Sequence, residues 1–87
     1  MPENPWIYVL AAEINLASNN EDNAYTNLID ALNCSSIKDA NSLYKAAELF
    51  HRIQKDDIAR KVIKEVLSID SDYPLSAELK KLSSGGS

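Results

Sequence analysis

Residues 43–67 read LYKAAELFHRIQKDDIARKVIKEVL, and the spacing of their apolar side chains decides the fold class. Leu43, Ala46, Ala47, Phe50 and Ile53 recur at the three- and four-residue steps of one helix face. Ile58, Ala59, Val62, Ile63, Val66 and Leu67 repeat that spacing. Between the two runs, Lys55-Asp56-Asp57 interrupts the pattern and places carboxylates where the next helix begins, the end at which peptide dipoles favour negative charge. The stretch predicts two antiparallel helices joined by a short turn. Ala47 and Ala59 are expected at their crossing, because a small side chain lets two backbones approach while Phe50 and Ile63 fill the space alongside.

The same pattern occurs earlier in the chain. Ala-Ala-Glu at 46–48 also stands at 11–13, 35 residues before, and this offset pairs Ala24 with Ala59, Leu28 with Ile63 and Leu32 with Leu67. Repeats of roughly 20–50 residues mark stacked helical units rather than a compact enzyme. Such units cannot bury their apolar faces alone, so they stack and expose a long surface. The first hairpin is expected to open at Pro5 with Asn4 as cap, to break at Asn19-Asn20, and to return from Glu21 to Asn33. Ile7, Leu10, Ala11 and Ile14 form the expected inner stripe of its first helix, and Ala12 and Ala24 its close crossing. Ser36-Ile37-Lys38-Asp39 resembles a capping box for a third helix running to Gln54. After the break at Asp70–Pro74, a short helix from Pro74 to Leu82 aligns Leu75, Leu79 and Leu82. The expected organisation is one all-α domain: repeat one over 5–36, repeat two over 37–72, a capping helix over 74–82, and a tail, 83–87, that resembles a flexible linker or cloning remnant.

Composition excludes several classes. Apolar residues make up 45% of the 87, and Gly and Pro together supply only five, so the chain is not of a disordered type. Its single cysteine, Cys34, has no internal partner for a disulfide. No apolar run is long enough for a membrane span, and no cationic segment precedes an apolar one at the N-terminus, so a cytoplasmic location is expected. The net charge of −4 is unevenly placed: no Lys or Arg precedes Lys38, while Glu3, Glu13, Glu21, Asp22 and Asp30 do. An acidic front disfavours nucleic acid; it reads first as a solvated acidic face, and it would also suit a basic partner or a neighbour docking onto that end.

The two hairpins resemble the tetratricopeptide repeat (TPR). Leu43, Ala46, Ala47, Phe50, Ala59, Ile63, Val66 and Leu67 occupy places where that family alternates large and small apolar residues. Tyr8, Ala11, Ala12, Ala24, Leu28, Ala31 and Leu32 do so in the first unit. Ile69-Asp70-Ser71-Asp72-Tyr73 resembles the family's closing segment, with Ser71 where proline is common. Asn15 stands where an aromatic is usual and Asn19 where glycine is common. The resemblance implies a short right-handed α-solenoid of about five helices whose concave groove holds a peptide or helix of another protein. Groove residues by the same resemblance are Trp6, Val9, Glu13, Leu16, Asn41, Tyr44, Glu48, His51 and Arg52. Lysine and asparagine, which in this family grip a C-terminal carboxylate, are replaced by Val9 and Glu13. Tails of Hsp70 or Hsp90 type are therefore not expected as ligands.

Read from the residues alone, Val9 and Leu16 lie nearly opposite the Ile7–Ile14 stripe, so the first helix is apolar on two sides. A partner peptide or helix, a second copy, a preceding repeat, or a second helix that wraps further round would cover the spare face. No catalytic set is expected: His51 and Cys34 are each alone of their kind, on different elements, without an orienting third group. Asp56-Asp57 and Asp70-x-Asp72 read as helix-end residues rather than a calcium loop. No metal or cofactor is implied. The function expected is binding without chemistry, with structural assembly within a longer array as the alternative and a small enzyme as a remote one.

Overall fold

A computed structural model describes residues 4–34 and 39–84. Among them are five α-helices and no strand: α1 Pro5–Ala17, α2 Glu21–Leu32, α3 Ala40–Arg52, α4 Asp56–Ile69 and α5 Ala77–Ser84. The chain divides into two compact units, Met1–Lys38 and Asp39–Ser87, each built on a helical hairpin.

In the first unit, Asn4 caps α1, its side chain accepting a hydrogen bond from the Trp6 N–H at 3.0 Å, and Pro5 takes the first helical position. The helix closes through Asn19, which adopts φ 60°. There the Asn20 N–H donates to the Asn15 carbonyl at 2.7 Å and the Asn19 N–H to that of Leu16 at 3.1 Å. This left-handed closing turn satisfies two carbonyls that the helix end would otherwise leave unpaired. Glu21 and Asp22 occupy the first turn of α2, where the dipole favours them. Ala12, Ala24 and Leu28 are fully buried, and Ala31 of α2 is nearly so.

The inner face of α1 differs from the expected one. Val9 and Ala12 are buried, whereas Ile7, Leu10 and Ile14 are 64%, 53% and 67% exposed. Geometry gives the reason. Ala12 lies about 140° around the helix from Ile7, so both cannot face α2. The small residue permits the close approach, and the bulkier stripe is turned outward. Asn15, which departs from the aromatic usual at its place in the resembled pattern, donates from Nδ2 to Asn27 Oδ1 at 2.6 Å, an amide pair joining α1 to α2. Cys34 is buried, and its Sγ contacts the Asp30 carbonyl at 3.5 Å, the role of a small core residue.

The second unit starts three residues later than the expected capping box. Asp39 is itself the cap, accepting from the Asn41 N–H at 3.2 Å, and the Ser42 hydroxyl donates to the Asp39 carbonyl at 3.0 Å. Ser36–Lys38 lie outside the described residues. The turn from α3 to α4 repeats the closure of α1: Gln54, 35 residues after Asn19, has φ 64°, and the Lys55 N–H donates to the Phe50 carbonyl at 2.8 Å. Ala47, Phe50, Ala59 and Ile63 are fully buried at the crossing. The last helix begins at Ala77 rather than Pro74. The Ser76 hydroxyl accepts from the Leu79 N–H at 3.3 Å, a cap that Pro74 cannot provide. Leu79 is the buried anchor of α5, and Leu75 stands outside the helix.

Candidate functional site

The expected groove residues fall in two places, one in each unit. In the second, α3 presents Asn41, Tyr44, Glu48, His51 and Arg52 along one side, and the segment after α4 folds back onto part of it. Tyr73 stacks on Tyr44 with ring centroids 5.0 Å apart, tilted by 44°. Its hydroxyl donates to Asn41 Oδ1 at 2.6 Å, and the Ser76 N–H donates to the Tyr44 hydroxyl at 2.9 Å. Burial, followed by the phenol of Tyr44 and the nearby carboxylates Asp39, Glu48 and Asp70, raises the Tyr73 phenol above its ordinary pKa. It therefore stays protonated and able to donate.

His51 closes the other end of this surface. Its Nδ1 lies 2.7 Å from Asp56 Oδ1, at the start of α4, and its Nε2 lies 3.3 Å from Glu78 Oε2 on α5. The hydrogen bond to Asp56 raises its pKa most. Burial opposes the rise, and the charges of Asp56 and Glu78 add to it. The imidazolium also sits in the last turn of α3 and Asp56 in the first turn of α4, each at the helix end that favours its charge. Both ring nitrogens face carboxylates, so the ring is arranged to hold charge and tie three helices rather than to take a proton from a nucleophile. A cleft of about 410 Å³ opens beside it, lined by Glu48, His51, Arg52, Gln54, Ser76, Glu78 and Leu79.

In the first unit, Trp6, Glu13 and Leu16 are half-buried, and Val9, at 1% exposure, belongs to the core and offers no surface to a partner. The outward apolar side is Ile7, Leu10 and Ile14, within about 60° of arc and about 10 Å of helix length. These are three of the four exposed large hydrophobic residues described; the fourth is Ile69. Among the described residues, no group of three His, Cys, Asp or Glu is placed to hold a metal ion. No helix is long and apolar enough to cross a membrane.

Family models, curated proteins and solved structures give no match to this chain. The reading of its site therefore rests on its own geometry. That geometry gathers Glu48, His51 and Arg52 on one cleft and links Asn41 to Tyr44 through Tyr73, within the second unit. Sequence reasoning did not find Asp56, Tyr73, Ser76 and Glu78 as partners of this face. Tyr73 and Ser76 stand 32 residues from the groups they meet, beyond any helical period. Ala12 was the available signal for the outward turn of Ile7, Leu10 and Ile14.

Proposed function

We propose that this chain is a non-catalytic protein-interaction module, a TPR-like pair of hairpins stacked as a short solenoid. Its docking face is the outward side of α1, which receives a helix of a protein partner. One observation carries the reading. Ile7, Leu10 and Ile14 remain more than half exposed on a helix whose opposite side is already buried. A surface helix needs one apolar stripe, and a second marks a contact. The α3 side is a weaker candidate, because Asn41, Tyr44 and His51 already bond to the chain's own residues 73–78. The single, buried cysteine Cys34 accords with a reducing, cytoplasmic setting. Selection from a library of helical peptides tests the proposal. Binders should lose affinity on Ile14→Gln with helix content unchanged by circular dichroism. Binders indifferent to that change would remove the docking face from α1.

The second reading, assembly within a longer array, has its own support. In the 35-residue register Ile7 corresponds to Ser42 and Ile14 to Leu49, and these are 1% and 0% exposed. Two of the three positions open on α1 are thus closed on α3, with Leu10 answering to half-buried Lys45, as expected if further chain belongs over α1. Sedimentation equilibrium across a wide concentration range tests the self-associating form of this reading, which a concentration-independent monomer would exclude.

A further inference from the structure

We infer that the helix received by α1 is basic and amphipathic, with apolar residues at i, i+3 or i+4, and i+7 and with Lys or Arg beside them. This rests on the docking reading above and specifies the partner's chemistry. The stripe itself carries no charge, so its rim decides which helix it accepts. Residues 1–37 contain five carboxylates and no Lys or Arg. Glu13 lies between Leu10 and Ile14 in sequence and about 60° around the helix from Leu10. No basic residue occupies the last turn of α1, which begins just past Ile14, so the negative end of that helix dipole lacks a cation from its own helix, the complement a partner's lysine or arginine supplies.

The same charges weigh against the other occupants. A second copy seated stripe to stripe would bring two acidic units together, and an acidic helix would meet the same repulsion. A head-to-tail second copy would need an apolar patch elsewhere, and Ile69 is the sole exposed large hydrophobic described outside α1. A cationic helix buries its apolar side against Ile7, Leu10 and Ile14 while its rim meets opposite charge. Helix-on-stripe recognition of this kind uses anchors at i, i+3 or i+4, and i+7, the spacing that α1 itself displays.

Two synthetic peptides test this. Each is about 15–20 residues long, enough to hold a helix, with the same leucine stripe. One carries lysine at its remaining positions and the other glutamate. Binding to the full chain is followed by the fluorescence of Trp6, the sole tryptophan, beside Ile7. The lysine peptide should bind at least about tenfold more tightly at low salt, with the gap narrowing as salt is added. The paired change Ile7→Gln and Ile14→Gln should weaken lysine-peptide binding by at least about tenfold, the loss of two apolar anchors, with helix content unchanged. Equal binding of both peptides, abolished by the paired change, would overturn the charge preference and leave the docking face standing. Lysine-peptide binding insensitive to the paired change would reveal diffuse attraction to an acidic protein and overturn the inference. Binding by neither peptide would overturn it as well. A parent chain that dimerises, with variants that do not, would make a second copy the occupant; the basic helix would then fall while the docking face survives.

Discussion

Asn15 on α1 donates to Asn27 on α2 at 2.6 Å, at the positions that buried Phe50 and Val62 fill in the second hairpin. One unit thus joins its helices there by an amide pair where the other uses hydrocarbon. The bond is partly buried, so either amide left alone would lose a partner that water only partly replaces. Asn27→Val should therefore destabilise the protein by about 1–3 kcal/mol, the cost of stranding a polar group. Asn15→Phe together with Asn27→Val imports the second hairpin's pair and should return stability to within about 1 kcal/mol of the parent, since replacing both partners removes the stranded group. Urea unfolding of the three proteins decides the matter. A single variant that unfolds at the parent's midpoint would show that the amide pair contributes nothing.

Gln54 and Asn19 occupy corresponding turns in the left-handed region, at φ 64° and 60°. Asparagine tolerates this conformation better than glutamine, and glycine adopts it without a Cβ clash. Gln54→Gly should accordingly stabilise the chain by about 0.5–1 kcal/mol, with a smaller gain for Asn19→Gly. Thermal unfolding measures both. A lower melting temperature for Gln54→Gly would mean that its side chain contributes more, beside the cleft it lines, than its backbone costs.

His51 makes stability depend on pH. Its folded-state pKa lies above the ordinary 6.5, so the folded protein holds this proton more tightly than the unfolded chain. The resulting stabilisation is complete below about pH 6.5 and is lost as pH rises through the raised value. Asp56→Asn should lower the His51 pKa more than Glu78→Gln, because the hydrogen bond to Asp56 is the largest cause of the rise. An NMR titration of the imidazole reads the pKa directly. Equal pKa values in the parent and in Asp56→Asn would contradict the pairing.

The helices themselves were legible from periodicity, because each hairpin combines a regular apolar run with a small residue at its crossing. The face of α1 was not. Its two sides are both apolar, and a helical wheel ranks Ile7, Leu10 and Ile14 as highly as Val9 and Ala12. Only the need for Ala12 to approach α2 breaks the tie, and that is a statement about pairs of helices rather than about one. The beginnings of α3 and α5 lie later than expected: Asp39, read as the closing residue of a capping box, is itself the cap of α3, and Ser76, two residues past Pro74, accepts the capping bond of α5. The α3 surface was legible as a set of side chains from one helix. Its closure by Tyr73, Ser76 and Glu78 depends on a segment folding back after α4, and no spacing rule encodes such a return.

That returning segment sets what a core deletion near the C-terminus can cost. Helix α5 is eight residues long, too short to persist without packing. Its attachments within the unit are buried Leu79, the Glu78–His51 pair and the bond from Arg60 Nε to the Leu82 carbonyl at 3.2 Å. Leu79→Ala removes the apolar anchor, a change that costs about 2–5 kcal/mol in a core that must stay assembled. Here α5 can instead release from α4, so the loss should stop at whatever its docking contributes and fall toward the lower end of that range. Hydrogen exchange should then accelerate at Lys80 and the following amides of α5 while those of α1 and α2 keep the parent's rates. Uniform acceleration across all five helices would show that α5 unfolds only with the whole chain, and the full cost would then appear in the global unfolding curve.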